Sequence, residues 1–309
     1  MKMKVFKTIQ EQISILESKG LIIDDYLFTE DILIRENYFF ISGYRHLFLK
    51  SPKDRNFIKG TTFRELYALF NFDRQVRNIV FKNLLIIENN LKSIISYQLS
   101  KKYGFREKDY LRPENFTKVP DKQRQLSDTL KKMKRQIRVN GAQHSATSHY
   151  LKNYGYIPLW VVVKVLSFGI VGELYTVMKR EDQEEIANIY DLSINNLLTY
   201  LPILSNYRNL CAHEDIVFDH KTERVIPDTE YHKKLNIFKM DDEYIYGKND
   251  IFSVIIIFKF MLEDDEFRLM IKEFEYEFAK LDAEIDSIPS EKILDTMGIP
   301  KNYMNIIDM

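Results

Sequence analysis

From residue 63 to 102, apolar side chains recur at steps of three or four: Phe72, Val76, Ile79, Val80, Leu84, Ile87, Leu91, Ile94 and Ile95. That period belongs to one face of an α-helix. Thr62, with Glu65 three residues later, forms a capping-box pattern at its start, and Gly104 ends it. An apolar stripe of this length must be covered by other elements, which constrains the chain to a helical assembly. Glu88 lies on the same stripe, between Leu84 and Leu91. A carboxylate facing a core needs a partner, because burying an unpaired charge costs several kcal/mol; the other solution is a place at the stripe's edge with its head in water.

The remaining segments are helical as well. Only 10 Gly and 8 Pro interrupt a chain rich in Leu, Ile, Glu and Lys. Residues 5–19 predict a short helix stopped by Gly20, and 51–62 a loop. A basic helix is expected at 121–138, a loop at 140–149, and an apolar helix at 159–179 opened by Pro158. A short helix at 181–190 and another at 193–214, capped by Ser193, follow. Residues 219–250 are polar and turn-rich, and helices at 250–262 and 264–286 lead into a short tail. No alternation demands a sheet, so the expected fold is all-α. Its organisation is an N-terminal helical segment (1–60), a core (61–220) and a C-terminal helical segment (221–309), joined in one compact unit.

Lys plus Arg and Asp plus Glu both number 45, a balance that argues against an indiscriminate polyanion binder. The distribution is uneven: residues 101–138 hold 13 Lys/Arg against 5 Asp/Glu, and residues 263–309 hold 5 against 13. Such asymmetry either makes one basic face or lets two helical faces of opposite sign meet. Cys211 is the single cysteine, which excludes an internal disulfide framework and a multi-cysteine zinc site and fits a reducing cytoplasm. The N-terminus starts basic but lacks an apolar signal core and a cleavage site. The two most apolar stretches, "IPLWVVVKVLSFGIV" and "IFSVIIIFKFML", are too short to span a bilayer and each carries a lysine. A soluble, cytoplasmic protein is expected.

Phosphate-loop, dinucleotide, zinc-protease and serine-hydrolase motifs have no match. His213 and His220 are seven apart, a spacing that arises readily by chance, so neither a metal nor a cofactor is expected. The chemistry concentrates in "NYRNLCAHEDIVFD", residues 206–219. On a helix advancing about 100° per residue, Asn209 and His213 share a face, whereas Arg208 and His213 point about 140° apart. Two copies meeting across a two-fold axis would use both. Arginine offers planar donors to a phosphate, and histidine titrates near neutrality. RNA carries its own nucleophile, the 2′-hydroxyl, so these two residue types suffice to cleave it without a metal. On spacing alone, a surface salt bridge or a capping histidine fits R-x4-H equally well.

Ordered blocks around this motif add specificity. The chain resembles the Abi-like abortive-infection proteins of the AbiD/AbiF type over nearly its whole length. The blocks are "GLIIDD" at 20–25, Ser42-Gly43-Tyr44, Phe72-Asp73-Arg74 with Arg77 and Ile87-Glu88 with Leu91, "PLWVVVKVLSFG" at 158–169, and "RNLCAH" at 208–213. Lys92 stands where the family usually has arginine, and Ile216 takes the place of an arginine often found after the histidine. The family belongs with the HEPN superfamily of helical domains, in which R-x4-6-H marks metal-independent endoribonucleases. The resemblance implies a HEPN-like helical bundle, a homodimer with a composite cleft, and RNA cleavage in phage defence. His213 would be the general acid/base, Arg208 the phosphate ligand, and Asn209 an orienting group. Glu88 would buttress Arg208, and Asp73 with Arg77 would form a supporting pair. Lys101, Lys102, Arg106, Lys131, Lys132, Lys134, Arg135 and Arg138 would contact RNA backbone, with Tyr103, Phe105 and Tyr110 open to stacking or to core packing. A second reading is a non-catalytic protein that holds a structured noncoding RNA.

Overall fold

The computed structural model describes residues 5–51 and 53–309. Among them helices dominate, and the only sheet is an antiparallel pair, β1 (Lys239–Met240) and β2 (Glu243–Tyr244). The fold is all-α, as the absence of alternation predicts. Helices α1 (Ile9–Glu17), α2 (Tyr26–Glu36) and α3 (Tyr38–Gly43) lead into α4 (Phe63–Tyr103), a 41-residue spine. Then come α5 (Glu107–Tyr110), α6 (Gln123–Asn140), α7 (Ser145–Tyr154), α8 (Leu159–Val162), α9 (Phe168–Val177), α10 (Arg180–Ala187) and α11 (Ile194–Ala212). Helices α12 (Glu230–Lys234), α13 (Ile251–Met261), α14 (Asp264–Glu284) and α15 (Glu291–Met297) complete the chain.

The capping box at the start of α4 forms as its spacing requires: Glu65 N donates to Thr62 Oγ1 at 3.2 Å, and Thr62 N donates to Glu65 Oε2 at 2.8 Å. The other Glu65 oxygen accepts the amides of Asp286 and Ser287, which ties the segment after α14 to the start of the spine. Helix α14 lies along α4, with Phe72 edge-on to Phe274 and Phe278. Helix α11 crosses another face of the spine and packs on α9 and on the almost wholly buried α13. One core therefore runs through residues from all three expected segments.

Three expectations change. The first helix starts at Ile9, because Thr8 and Glu11 make their own capping box there. The loop expected at 140–149 ends early, since His144 caps α7 from Ser145. The apolar run 159–179 is broken into α8, a short 3-10 turn and α9: Leu166 is extended and Ser167 accepts the Ile170 amide as a new N-cap. A hydroxyl two residues before Gly169 competes locally with helix continuation, and hydrophobicity alone does not register that.

Candidate active site

Asp73, Arg77, Phe81, Glu88 and Lys92 fall within about 100° of the α4 circumference at about 100° per residue. Of these, Asp73, Arg77, Glu88 and Lys92 are buried, a seam of charge on the face of the helix that packs against the rest of the fold. Its N-terminal half is a sealed network around Asp73, which is fully buried beside the 4% exposed Arg77. The carboxylate accepts from the Arg77 guanidinium, from the Tyr44 hydroxyl at 2.6 Å and from the Phe218 amide at 2.8 Å, with a longer contact from the Val217 amide at 3.3 Å. Burial pushes the Asp73 pKa up to about 6, against the lowering pull of Arg77 and the donors around it. Phe218 is held further by ring stacking between Tyr44 and His46, each at 5.5 Å. His46 Nε2 also lies 3.3 Å from Asp219.

These contacts hold the turn that follows His213. The last turn of α11 closes with Glu214 N on Cys211 O and Asp215 N on Leu210 O, a Schellman pattern. Glu214 occupies its left-handed position at φ 57°, where glycine is the usual residue. Arg77 also reaches the Asp215 carbonyl at 3.4 Å. A side chain at Gly43 would place its Cβ 2.7 Å from Ile216 Cδ1, so the end of the Ile216 side chain packs in the space the glycine leaves.

The other half of the seam meets α11. Glu88 is buried at 5% exposure, so its head does not reach water from a stripe edge. Its Oε1 accepts from Lys92 Nζ at 2.6 Å, and its Oε2 lies 3.4 Å from Arg208 Nε. The Arg208 contact is a charge contact without hydrogen-bond alignment, and the guanidinium also sits 6.0 Å from the Phe81 ring. Arg208 thus leans onto the spine, half-buried, while His213 is exposed at the helix C-cap. Asn209 is exposed too, and no hydrogen bond links its side chain to His213. Cys211 is buried, and burial pushes its thiol up to about 12, far from a nucleophile's range.

Beside the turn lies a cleft of about 990 Å³ between α2, α3, the start of α4 and residues 214–216. Arg45, Arg74 and Arg77 face it together with Glu36, Glu214 and Asp215. Arg74 is committed to Glu36 through two hydrogen bonds of 2.9 and 2.6 Å. Apolar residues stand exposed at the rim: Ile34 at 64%, Phe39 at 74% and Phe40 at 53%.

The basic residues divide. Lys102 pairs with Glu181 and Asp182, Lys132 with Glu173, and Lys131 with Asp128. Their partners lie on α10, α9 and α6 rather than on the acidic C-terminal helices. Lys101, Arg106, Lys134, Arg135 and Arg138 are exposed and form no ion pair among the described residues. Tyr110 is core, donating to the Ile157 carbonyl, and Tyr103 is half-buried on Asp182; neither ring is open for stacking. Phe105 is partly exposed. Sequence reasoning missed His46, Phe218 and the backbone groups of 215–218. No motif spacing marks them, because they meet Tyr44 and Asp73 only through the fold.

The profile of the Abi-like protein family matches residues 31–219. The chain belongs to the Abi-like protein family. The matched stretch begins in α2 and ends at Asp219, so in this Abi-like protein it contains Tyr44, the whole spine and the turn after His213. No curated protein and no solved structure matches the chain. No helix of the described residues is long and apolar enough to cross a membrane.

Proposed function

We propose that this Abi-like protein is an abortive-infection endoribonuclease of the AbiD/AbiF type, with a HEPN active site built around Arg208 and His213. Family membership points to phage defence. The observation that supports cleavage is the double anchoring of the R-x4-H segment on α4: Glu88 meets Arg208 at one end, and Asp73 holds Phe218 at the other. Between the anchors His213 stands exposed, free to meet a substrate.

In the proposed reaction His213 takes the proton from a ribose 2′-hydroxyl, and the 2′-oxygen attacks the adjacent phosphorus. The bond to the 5′-oxygen breaks, that oxygen takes the proton back from the protonated imidazole of His213, and a 2′,3′-cyclic phosphate remains. Arg208 faces the charge that develops on the phosphorane, where a fixed donor is worth most. Asn209 contributes from the same exposed helix face as His213. Because Arg208 and His213 leave one helix in different directions, a second copy completes the site, and the exposed Ile34, Phe39 and Phe40 beside the cleft are the surface for it. The protein acts in the cytoplasm on this reading and uses no metal.

The test is cleavage of RNA by purified wild type, His213→Ala and Arg208→Ala, with helical content checked by circular dichroism. Both substitutions are expected to abolish cleavage with the fold retained, and wild-type cleavage is expected to survive a chelator. A His213→Ala protein that cuts as fast as wild type removes the histidine from the mechanism. Tight RNA binding without any cleavage by the wild type would instead mark a protein that holds RNA.

A further inference from the structure

A belt of aromatic rings runs over the surface at the far end of the spine. The ring of Tyr150 lies 5.4 Å from Tyr154, Tyr154 lies 6.4 Å from Tyr156, Tyr156 lies 5.7 Å from Phe105, and Phe105 lies 5.7 Å from Trp160. These residues come from four places: the second half of α7, the loop between α7 and α8, the loop after α4 and the start of α8. Aromatic residues that only finish a core keep their faces inward. Here Tyr154 is 57% exposed, Trp160 46% and Phe105 38%.

Cations accompany the rings. Arg106 sits 5.0 Å from the Tyr156 ring and 5.9 Å from Phe105. Next to it opens a groove of about 490 Å³ lined by Lys108, Arg112, Lys134 and Arg138 along with Glu107. Glu107 turns one carboxylate oxygen inward onto the Ile157 amide at 2.6 Å, and Arg112 is 3.4 Å from Asp109. Arg106, Lys108, Lys134 and Arg138 form no ion pair among the described residues. Exposed rings beside uncompensated cations suit a chain that alternates flat bases with phosphates, and a paired duplex hides those flat faces.

We infer that the belt and its basic groove bind single-stranded RNA, with bases stacked on Tyr154, Trp160 and Phe105 and phosphates over Arg106, Lys134 and Arg138. The inference rests on the RNA reading of the protein but is independent of the chemistry at His213. Along α4, Gly104 lies about 24 Å from Glu88 at about 1.5 Å per residue. The belt therefore grips a segment remote from the scissile phosphate, and it acts as a recognition surface rather than as part of the cleaving site.

Trp160 is the only tryptophan of the chain, so its emission reports directly on the belt. The experiment titrates full-length protein, in the His213→Ala background, with an oligoadenylate of about 12 nucleotides. Saturable quenching is expected, reduced by added salt and much weaker with a duplex of the same length. Tyr154→Ala and Arg106→Ala are expected to weaken binding about tenfold each, while Tyr276→Ala, exposed on α14, leaves it unchanged. Unchanged emission while the same protein still binds RNA, or while the wild type still cuts it, overturns the belt and leaves the His213 site standing. Equal quenching by duplex, or belt variants that alter self-association without altering RNA affinity, overturns it as well. A wild type that neither binds nor cleaves RNA removes both readings.

Discussion

The Asp73 carboxylate accepts a hydrogen bond from the Phe218 amide at 2.8 Å. This links the first third of the spine helix to the chain just beyond His213, across a fully buried contact. The Arg77 guanidinium, the Tyr44 hydroxyl and Asp73 therefore act on the turn from beneath: Asp73 is fully buried, and Tyr44 and Arg77, at the wall of the cleft, are only 2% and 4% exposed. They are positioning residues.

Removing the carboxylate should be costly. Asp73→Ala leaves Arg77 buried without its counter-charge, and a loss of about 3–5 kcal/mol in urea unfolding is expected. Asp73→Ala combined with Arg77→Leu should recover part of it. A single-variant loss under about 1 kcal/mol would show that Arg77 escapes to water and that the network does not hold the turn.

Acid should loosen the turn without unfolding the protein. The Asp73 pKa is raised to about 6 from the 3.8 of an ordinary aspartate, so the folded chain takes up this proton before the unfolded one. As pH falls from about 6 toward about 4, this group adds to stability; as pH rises through that window, the contribution is lost. Protonation nevertheless weakens what the carboxylate accepts. The Val217 and Phe218 amide resonances are expected to titrate with a midpoint near 6 and to stop doing so in Asp73→Asn. Flat shifts from about pH 5 to about pH 7 would contradict this assignment.

Arg208 should separate activity from stability. Glu88 keeps Lys92 at 2.6 Å when Arg208 is cut to alanine, so the cost is about 1 kcal/mol or less. Cleavage should drop by about a hundredfold or more if the guanidinium stabilises the transition state. Lys92→Met should show the reverse emphasis in stability, losing several kcal/mol, because Glu88 is then left buried with only the longer Arg208 contact. A large stability loss in Arg208→Ala would make it a structural residue.

Glu214 is held at φ 57° in a position that favours glycine. Glu214→Gly should raise stability by about 0.5–1 kcal/mol, read as a higher midpoint in thermal unfolding. A lower midpoint would mean that the Glu214 side chain, which faces the cleft, contributes more than its backbone strain removes.

The exposed Phe39 and Phe40 test the second copy. Phe39→Ser with Phe40→Ser should leave helical content unchanged and weaken self-association by at least about tenfold in light scattering, with cleavage falling in parallel. Self-association equal to wild type would place the dimer interface elsewhere.

Local signals carried much of this protein in its sequence. The spine helix was legible from Phe72 to Ile95 because a period near 3.6 and a capping box are properties of neighbouring residues. The same is true of the Ser193 cap and of Arg208 and His213, which stand in one short stretch. Glu88 was legible as a carboxylate in need of a partner, and one partner, Lys92, lies four residues along its own helix. The break at Leu166–Ser167 was not, since an apolar run gives the same composition whether continuous or interrupted. Above all, the grip on the His213 turn is made by Asp73 on backbone amides of Val217 and Phe218. An amide donor is common to every residue but proline and leaves no mark in a sequence, so only the packing of α4 against the end of α11 decides which ones a buried carboxylate will meet.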